Sequence, residues 1–220
     1  MTNSTRTTSN RATLRNALAA LGLGLALAGS AALADQSPSQ VVDGLANRVL
    51  PILRDKSLST DQKRDQIEQI AYQAIDFETL SKLVLARNWP KFSHDQQVEF
   101  VAQFKRHLSV TYSHNIESYN NETVKILSER PETQGDVTVL TKILRGGGSA
   151  DVAVDYRLRQ RDGQWKIIDI IVEGVSLVSN FRSQFQGIVA NGGPDHLLTL
   201  LKEKNEKGES LLPPTPGQSN

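Results

Sequence analysis

The segment Trp165-Lys-Ile-Ile-Asp-Ile-Ile-Val-Glu-Gly-Val-Ser-Leu-Val-Ser-Asn-Phe-Arg-Ser-Gln-Phe185 joins a strongly apolar strand to an amphipathic helix. Strict alternation would place Ile168, Ile170 and Val172 on one face of this strand and Ile167 on the other. Apolar side chains on both faces predict a strand that is covered on both sides. This concentration of apolar residues suggests that the chain builds an apolar cavity rather than a catalytic centre.

Three shorter strands are predicted upstream of this segment. Residues 123–129, 137–143 and 152–158 show the period of two that is typical of half-buried strands. Glycines 146–148 and the pair Asp162-Gly163 supply hairpin turns. These patterns predict a curved antiparallel sheet of about four strands.

Helical periodicity dominates the regions before and after the sheet. The fourth predicted helix is the clearest, because Ser93 and Gln96 form a capping box before a long apolar stripe. Helices followed by strands indicate an α+β fold, with N-terminal helices packed on the sheet and further helices at the C-terminus. The predicted helices cover residues 41–53, 60–74, 76–87, 93–119 and 176–189, and a last one begins at Pro194.

The first 34 residues have the pattern of a cleaved signal peptide. Arg6, Arg11 and Arg15 precede an apolar run over residues 17–27, and Ala32-Leu33-Ala34 fits a small-x-small cleavage site. Residues 35–205 are then expected to form a single domain, followed by a disordered tail over 206–220.

Composition limits the classes of function. Removal of residues 1–34 takes away three of the 25 basic residues and no acidic one, which leaves 22 against 24 and a net charge of −2. That balance gives no basis for nucleic-acid binding. The chain has no cysteine, which suits an exported protein that avoids mispairing in an oxidising compartment. We therefore expect a bacterial periplasmic protein.

The sequence carries no recognised catalytic or metal-binding motif. There is no Gly-x-Ser-x-Gly elbow and no phosphate-binding loop. His107 and His114 share a helical face, but metal sites prefer a spacing of four residues with carboxylates nearby, so we interpret both as solvent-side residues. No metal site and no cofactor are predicted.

Asp169 is the most interesting carboxylate, since it interrupts the most apolar strand. A buried carboxylate needs a partner, and Arg87 and Arg182 are the candidates. A structural ion pair is favoured, and a general acid or base with a raised pKa is the alternative.

Alternation on the strands and stripes on the helices predict the wall of the apolar cavity. The sheet would contribute one face and the helices the opposite one, which makes a suitable enclosure for hydrocarbon. The predicted lining residues are Phe104, Leu108, Tyr112, Val139, Ile143, Val152, Val154, Tyr156, Ile168, Ile170, Val172, Val175, Val178 and Phe181.

Two segments resemble the MlaC family of periplasmic phospholipid-binding proteins, also described as toluene-tolerance components. They are Asn88-Trp-Pro-Lys-Phe-Ser-His-Asp-Gln-Gln-Val-Glu-Phe100 and the segment 165–185, in which Glu-Gly-Val-Ser-Leu-Val is the most specific part. The resemblance extends over about residues 41–201. Family members often carry Tyr-Trp-Arg where this chain has Asn88-Trp89-Pro90.

The resemblance implies a non-enzymatic carrier that holds phospholipid acyl chains between sheet and helices. Such a carrier would be a periplasmic monomer that takes lipid from an outer-membrane lipoprotein–porin complex. It would deliver the lipid to an inner-membrane ABC transporter with a periplasmic substrate-binding ring, and so maintain outer-membrane asymmetry. Bound phospholipid would be cargo rather than a cofactor. Two alternatives stay open: a carrier of another apolar molecule, and an enzyme on a cone-shaped α+β fold that uses Asp169.

Overall fold

A computed structural model describes residues 36–112, 116, 119–146 and 149–211. The predicted signal peptide lies outside the described residues. The described part is an α+β fold, as predicted. Its elements are α1 (Pro38–Arg54), α2 (Thr60–Ala74), α3 (Phe77–Leu85), a 3-10 helix (Ala86–Lys91), α4 (His94–Tyr112), β1 (Thr123–Pro131), a short 3-10 turn (Thr133–Gly135), β2 (Val137–Leu144), β3 (Val152–Arg161), β4 (Gln164–Val172), β5 (Val175–Ser176) and α5 (Leu177–Lys207).

Helices α1, α2 and α4 begin with the same local motif. In each, a serine hydroxyl accepts a hydrogen bond from the backbone N–H of a glutamine three residues later. The glutamine side chain in turn accepts the backbone N–H of that serine. This capping box satisfies N–H groups that the first turn of a helix leaves unpaired. The three pairs are Ser37–Gln40, Ser59–Gln62 and Ser93–Gln96.

The sheet is an antiparallel meander in the order β1-β2-β3-β4-β5. The four predicted strands are present, and the two-residue strand β5 adds a short fifth one. Asp162 and Gly163 both have positive φ, at 51° and 74°, which is the backbone geometry of a tight hairpin turn.

A β-bulge in β4 corrects the predicted alternation of that strand. Arg157 lies opposite Asp169, whereas Leu158 lies opposite Ile167, so Ile168 is an extra residue without a cross-strand partner. The bulge brings Ile167 and Ile170 into the same apolar cluster instead of onto opposite faces. The prediction that β4 alternates without interruption is therefore wrong.

Most of the buried apolar residues fall into two clusters, one helical and one on the sheet. In the helical cluster, α3, α4 and α5 meet around packed phenylalanine rings; its residues are Leu80, Val84, Leu85, Phe92, Phe100, Phe104, Leu108, Val178, Phe181, Phe185, Val189, Leu197, Leu198 and Leu201. The sheet cluster joins α1 to the inner face of the sheet through Val42, Val139, Leu158 and Ile167.

The helix boundaries differ most from the predictions at two places. Continuous helix in α4 ends at Tyr112 among the described residues, and Tyr119, predicted to close that helix, is not helical. Its hydroxyl instead accepts a hydrogen bond from Arg54 Nε at 3.1 Å. The two helices predicted after the sheet form one element, α5, which is kinked at Gly193 (φ 72°) before Pro194.

The described residues continue past residue 206, where the predicted tail begins. Helix α5 continues to Lys207, and Leu211 packs against the helical cluster. The remainder of the predicted tail, residues 212–220, lies outside the described residues.

A buried carboxylate links β3 to the start of β2. The side chain of Asp136 is fully buried and receives hydrogen bonds from Arg157 and Arg159 at 2.6–2.9 Å. Burial alone would raise the pKa of Asp136, but the hydrogen bonds and charges of the two arginines outweigh it and hold the pKa below its ordinary value.

We expect Asp136→Ala to lower the free energy of unfolding by about 3 kcal/mol at pH 7, because it leaves two arginines without their partner. Urea denaturation measures the effect, and Asp61→Ala, which removes an exposed partner of Arg64, should cost less than about 0.5 kcal/mol. Since the folded-state pKa of Asp136 is lowered, its contribution is complete above the ordinary pKa of 3.8 and is lost as pH falls through the lowered value. Equal losses for the two variants would contradict this role.

Candidate functional site

A small cavity lies between the helical cluster and the sheet cluster. Its volume is about 20 Å³, which is room for roughly one water molecule. We call the residues around it the seam: Ile75, Leu80, Leu108, Ile167, Asp169, Ile170 and Leu177. All but Asp169 are apolar, and they come from both clusters, so the seam is the boundary between the two halves of the core.

The predicted lining residues divide between the two sides of this boundary. Phe104, Leu108, Tyr112, Val178 and Phe181 lie in or against the helical cluster. On the sheet side, Val139, Tyr156 and Ile170 belong to the sheet cluster or pack on it. Two cross-strand pairs, Ile143↔Val152 and Val154↔Val172, continue the same sheet face toward its far end.

Two of the predicted residues lie elsewhere. Val175 is 59% exposed at the start of β5. Ile168 is fully buried but belongs to neither cluster, because it is the extra residue of the bulge.

Four seam residues were not predicted: Ile75, Leu80, Ile167 and Leu177. Leu80 and Leu177 are apolar helix residues whose direction depends on the packing of α3 and α5. Ile75 lies in the connection between α2 and α3, where its isolated bridge to Ile167 positions it. Ile167 was assigned to the wrong face, since the bulge leaves no mark in the alternation pattern.

A larger cleft of about 370 Å³ is open to the surface near the β3–β4 hairpin. Three of its four charged groups are already engaged, since Arg161 pairs with Asp76 at 3.1 Å and Lys166 Nζ donates to the carbonyl of Gln73 at 2.8 Å. The cleft is therefore a weaker candidate for an apolar ligand than the seam. Its lining is Tyr72, Gln73, Ile75, Asp76, Phe77, Arg161, Asp162, Gln164 and Lys166.

Asp169 is buried, as expected, but its partners are not arginines. Its carboxylate accepts hydrogen bonds from the Ser176 hydroxyl at 2.5 Å and from the backbone N–H groups of Val178 and Ile170 at 3.0 and 2.9 Å. The predicted partner Arg182 donates to the carbonyl of Leu83 instead. Asp169 thus caps the start of α5 by satisfying one of its free N–H groups.

The tyrosines near the sheet and the helices are held in their neutral form. Burial raises the pKa of Tyr156 to about 12. Burial, with the nearby Glu68 carboxylate, raises the pKa of Tyr72 to about 12. Burial also raises the pKa of Tyr112. The walls beside the seam therefore carry no phenolate charge at neutral pH.

The histidine prediction needs correction. His107 is fully buried, not solvent-side, and His114 lies outside the described residues. Across the described part of the chain, no three acidic or histidine side chains are grouped so that they could bind a metal ion. No described helix is both long enough and apolar enough to cross a membrane.

These features define an α+β protein in which an antiparallel sheet and a helical layer meet across an apolar seam. The chain belongs to the MlaC protein family, whose model matches residues 43–203.

Three known proteins are similar to this chain: two are related in sequence, and one solved structure has a similar fold. The toluene tolerance protein ttg2D of Pseudomonas putida is 26% identical over 74% of this chain and 78% of its own length. The intermembrane phospholipid transport system binding protein MlaC of Haemophilus influenzae is 21% identical over 78% of this chain and 84% of its own. A phospholipid-binding protein from Ralstonia solanacearum, solved in complex with a phospholipid, superposes with a TM-score of 0.68 at 25% identity, covering 76% of this chain and 96% of that one.

Replacement of Asp169 tests its structural role. Asp169→Ala should lower the free energy of unfolding by about 2 kcal/mol, because the Val178 N–H and the Ser176 hydroxyl lose a buried acceptor. Asp169→Asn keeps an acceptor oxygen and should cost less. Thermal unfolding of both variants, beside the exposed control Asp43→Ala, measures the difference. An Asp169→Ala protein as stable as the control would show that the cap contributes nothing.

Proposed function

We propose that this protein is a periplasmic carrier that holds the acyl chains of a glycerophospholipid between its sheet and its helical layer. The seam supports this most directly, because it is an apolar boundary at the centre of the fold. The Ralstonia relative, of the same fold, was solved with a phospholipid bound. The described α+β unit, which ends at Leu211, would be the lipid-binding domain.

The proposed binding wall has a sheet side and a helix side. Val139, Tyr156 and Ile170 begin the sheet side, and the pairs Ile143↔Val152 and Val154↔Val172 extend it. Phe104, Leu108, Tyr112, Val178 and Phe181 form the helical side. Four further residues of the proposed wall lie at the seam between the two sides: Ile75, Leu80, Ile167 and Leu177.

Binding requires the two layers to move apart. Pockets that enclose molecules of drug size measure about 300–1,000 Å³, whereas the cavity at the seam measures about 20 Å³. The two hydrophobic clusters can each stay intact during such a movement, because the seam runs between them.

The contacts around the seam suggest which side yields first. Helices α4 and α5 are joined by Phe100, Phe104, Phe181 and Phe185, whose ring centroids lie 5.0–5.8 Å apart. Helix α2 meets α4 through polar contacts instead: Ser109 donates to Glu68, and Lys105 Nζ lies 3.3 Å from the ring centroid of Tyr72. Because water can replace polar contacts, moving α2 away from α4 costs less free energy than moving α4 away from α5.

The carrier would act between the two membranes of the cell envelope. It would take phospholipid from an outer-membrane lipoprotein–porin complex and deliver it to an inner-membrane ABC transporter with a periplasmic substrate-binding ring, as a monomer. The relative from Haemophilus influenzae is named as a binding protein of an intermembrane phospholipid transport system, which supports this placement. The predicted signal peptide over residues 1–34 supports the periplasmic location.

An enzymatic role for Asp169 finds little support. A general acid or base must reach a substrate proton, whereas this carboxylate already accepts three hydrogen bonds within the fold. The curated relatives are named for toluene tolerance and phospholipid transport.

Native mass spectrometry of protein purified from a bacterial periplasm without detergent tests the proposal. We expect a mass excess that organic extraction resolves into diacyl phospholipid. An excess that resolves into another apolar molecule would favour the alternative carrier. A protein that stays free of ligand after incubation with phospholipid vesicles would contradict carrier function.

A pair of variants on one strand tests the position of the binding wall. Ile170→Glu places a charge against the acyl chains, so co-purified phospholipid per protein should fall at least about tenfold, since burial of an unpaired charge costs several kcal/mol. Ile171→Glu is the matched control, because the next residue of β4 points to the opposite face. Both residues are half-buried, and circular dichroism checks that both variants fold. Equal lipid content in the two proteins would place the lipid elsewhere.

A further inference from the structure

His107 lies at the centre of a buried polar network that joins α4, α5 and the residues after α5. The ring is fully buried and packs edge-on against Phe181, with ring centroids 6.0 Å apart. Its Nδ1 lies 2.9 Å from Asn205 Oδ1, and its Nε2 accepts the backbone N–H of Leu211 at 3.1 Å. A lipid-binding wall does not need this arrangement.

The network requires a neutral imidazole in one tautomer. Asn205 Nδ2 donates to the backbone carbonyl and the side-chain oxygen of Gln103, both at 3.0 Å, so the amide oxygen of Asn205 must face His107. Nδ1 therefore carries the proton and donates, and Nε2 is the bare acceptor for Leu211. A protonated ring would present an N–H at Nε2 to the N–H of Leu211.

The segment that this bond holds in place is residues 208–211, which we call the C-terminal clasp. It starts at Gly208, which ends α5 with a φ of 68°. The hydroxyl of Thr111 on α4 donates to that of Ser210 at 3.1 Å, and the side chain of Leu211 packs against the helical cluster. The clasp thus covers part of α4 close to Tyr112, which also packs against that cluster.

We propose that His107 is a pH-sensitive latch, which holds the clasp on α4 while its ring is neutral and releases the clasp when the ring is protonated. In the protonated state, the bond to the Leu211 N–H is replaced by two opposed donors. Leu211 then leaves the helical cluster, and the surface that it covers becomes accessible.

The electrostatic surroundings set the pH at which the latch opens. Burial lowers the pKa of His107, the hydrogen bond that His107 donates to Asn205 raises it by less, and the charge of Lys204 lowers it further. Lys204 on α5 is itself paired with Glu209 of the clasp, and Arg106 is the neighbour of His107 on α4. The clasp is therefore held on α4 at pH values above 6.5, the ordinary pKa of histidine. It is released as the pH falls through the lowered pKa of His107 in the folded protein.

Nuclear magnetic resonance of the ¹⁵N-labelled protein, titrated from pH 7.5 to pH 4.5, tests the latch. At pH 7.5 we expect the imidazole nitrogens of His107 to show the Nδ1–H tautomer. As pH falls, the protection factor of the Leu211 amide against hydrogen exchange, corrected for intrinsic rates, should decrease at least about tenfold. The pH midpoint of this decrease should equal the midpoint of the His107 titration. The amide of Leu158 in the sheet should stay protected, which separates clasp release from global unfolding.

Two glutamine variants on the same helix complete the test. His107→Gln removes the titrating group, so any pH dependence of Leu211 protection should disappear, whereas His94→Gln at the exposed start of α4 should leave it unchanged. If His107→Gln fails to fold, the unmodified protein still tests the proposal, because the latch requires the His107 titration and the loss of Leu211 protection to have the same pH midpoint. A Leu211 amide that stays protected after His107 is protonated, or that loses protection at a different pH, would overturn the proposal.

Discussion

The carboxylate of Asp169 connects the sheet to the helical layer, and the rest of the core depends on that connection. The N–H group of Val178 in the first turn of α5 is buried, and Asp169 accepts a hydrogen bond from it and from the hydroxyl of Ser176. The start of α5 is therefore fixed in position and direction. Its first turns then place Phe181 and Phe185 against Phe104. A charge in the most apolar strand is thus the condition for the aromatic packing beside it.

The Asp169 connection between β4 and α5 lies at the boundary between the two clusters of the core. Phenylalanine rings pack the helical side, whereas mainly aliphatic side chains from α1 and the sheet form the other cluster. Interdigitated aromatic rings resist separation, because each loses its edge-to-face contacts when they part. Aliphatic side chains across the seam make fewer directional contacts, and the one carboxylate there keeps its hydrogen bonds within the β4–α5 joint. The weakest surface of the core is therefore the one between sheet and helices.

Local signals predicted most of the fold, and long-range contacts decided what they could not predict. Helix α2 covers the residues that its periodicity predicts, and the Asp162-Gly163 turn joins β3 to β4 as predicted. The bulge at Ile168 has no such signal, since five of the six residues from Ile167 to Val172 are apolar and fit either face. His107 looked like a surface residue for a similar reason. Its burial depends on Asn205 and Leu211, which lie 98 and 104 residues away in the chain.

Because the seam is closed, a ligand can open it only if the burial of its hydrocarbon releases more free energy than the opening costs. A cavity in a protein core costs about 24 cal/mol per Å³, so opening about 300 Å³ costs about 7 kcal/mol. Transfer of hydrocarbon from water into that space returns about 0.8 kcal/mol per CH₂, so about nine methylenes are needed to offset the opening. A single long acyl chain exceeds this threshold, so burial of such a chain would offset the opening of a space of this size in the proposed carrier.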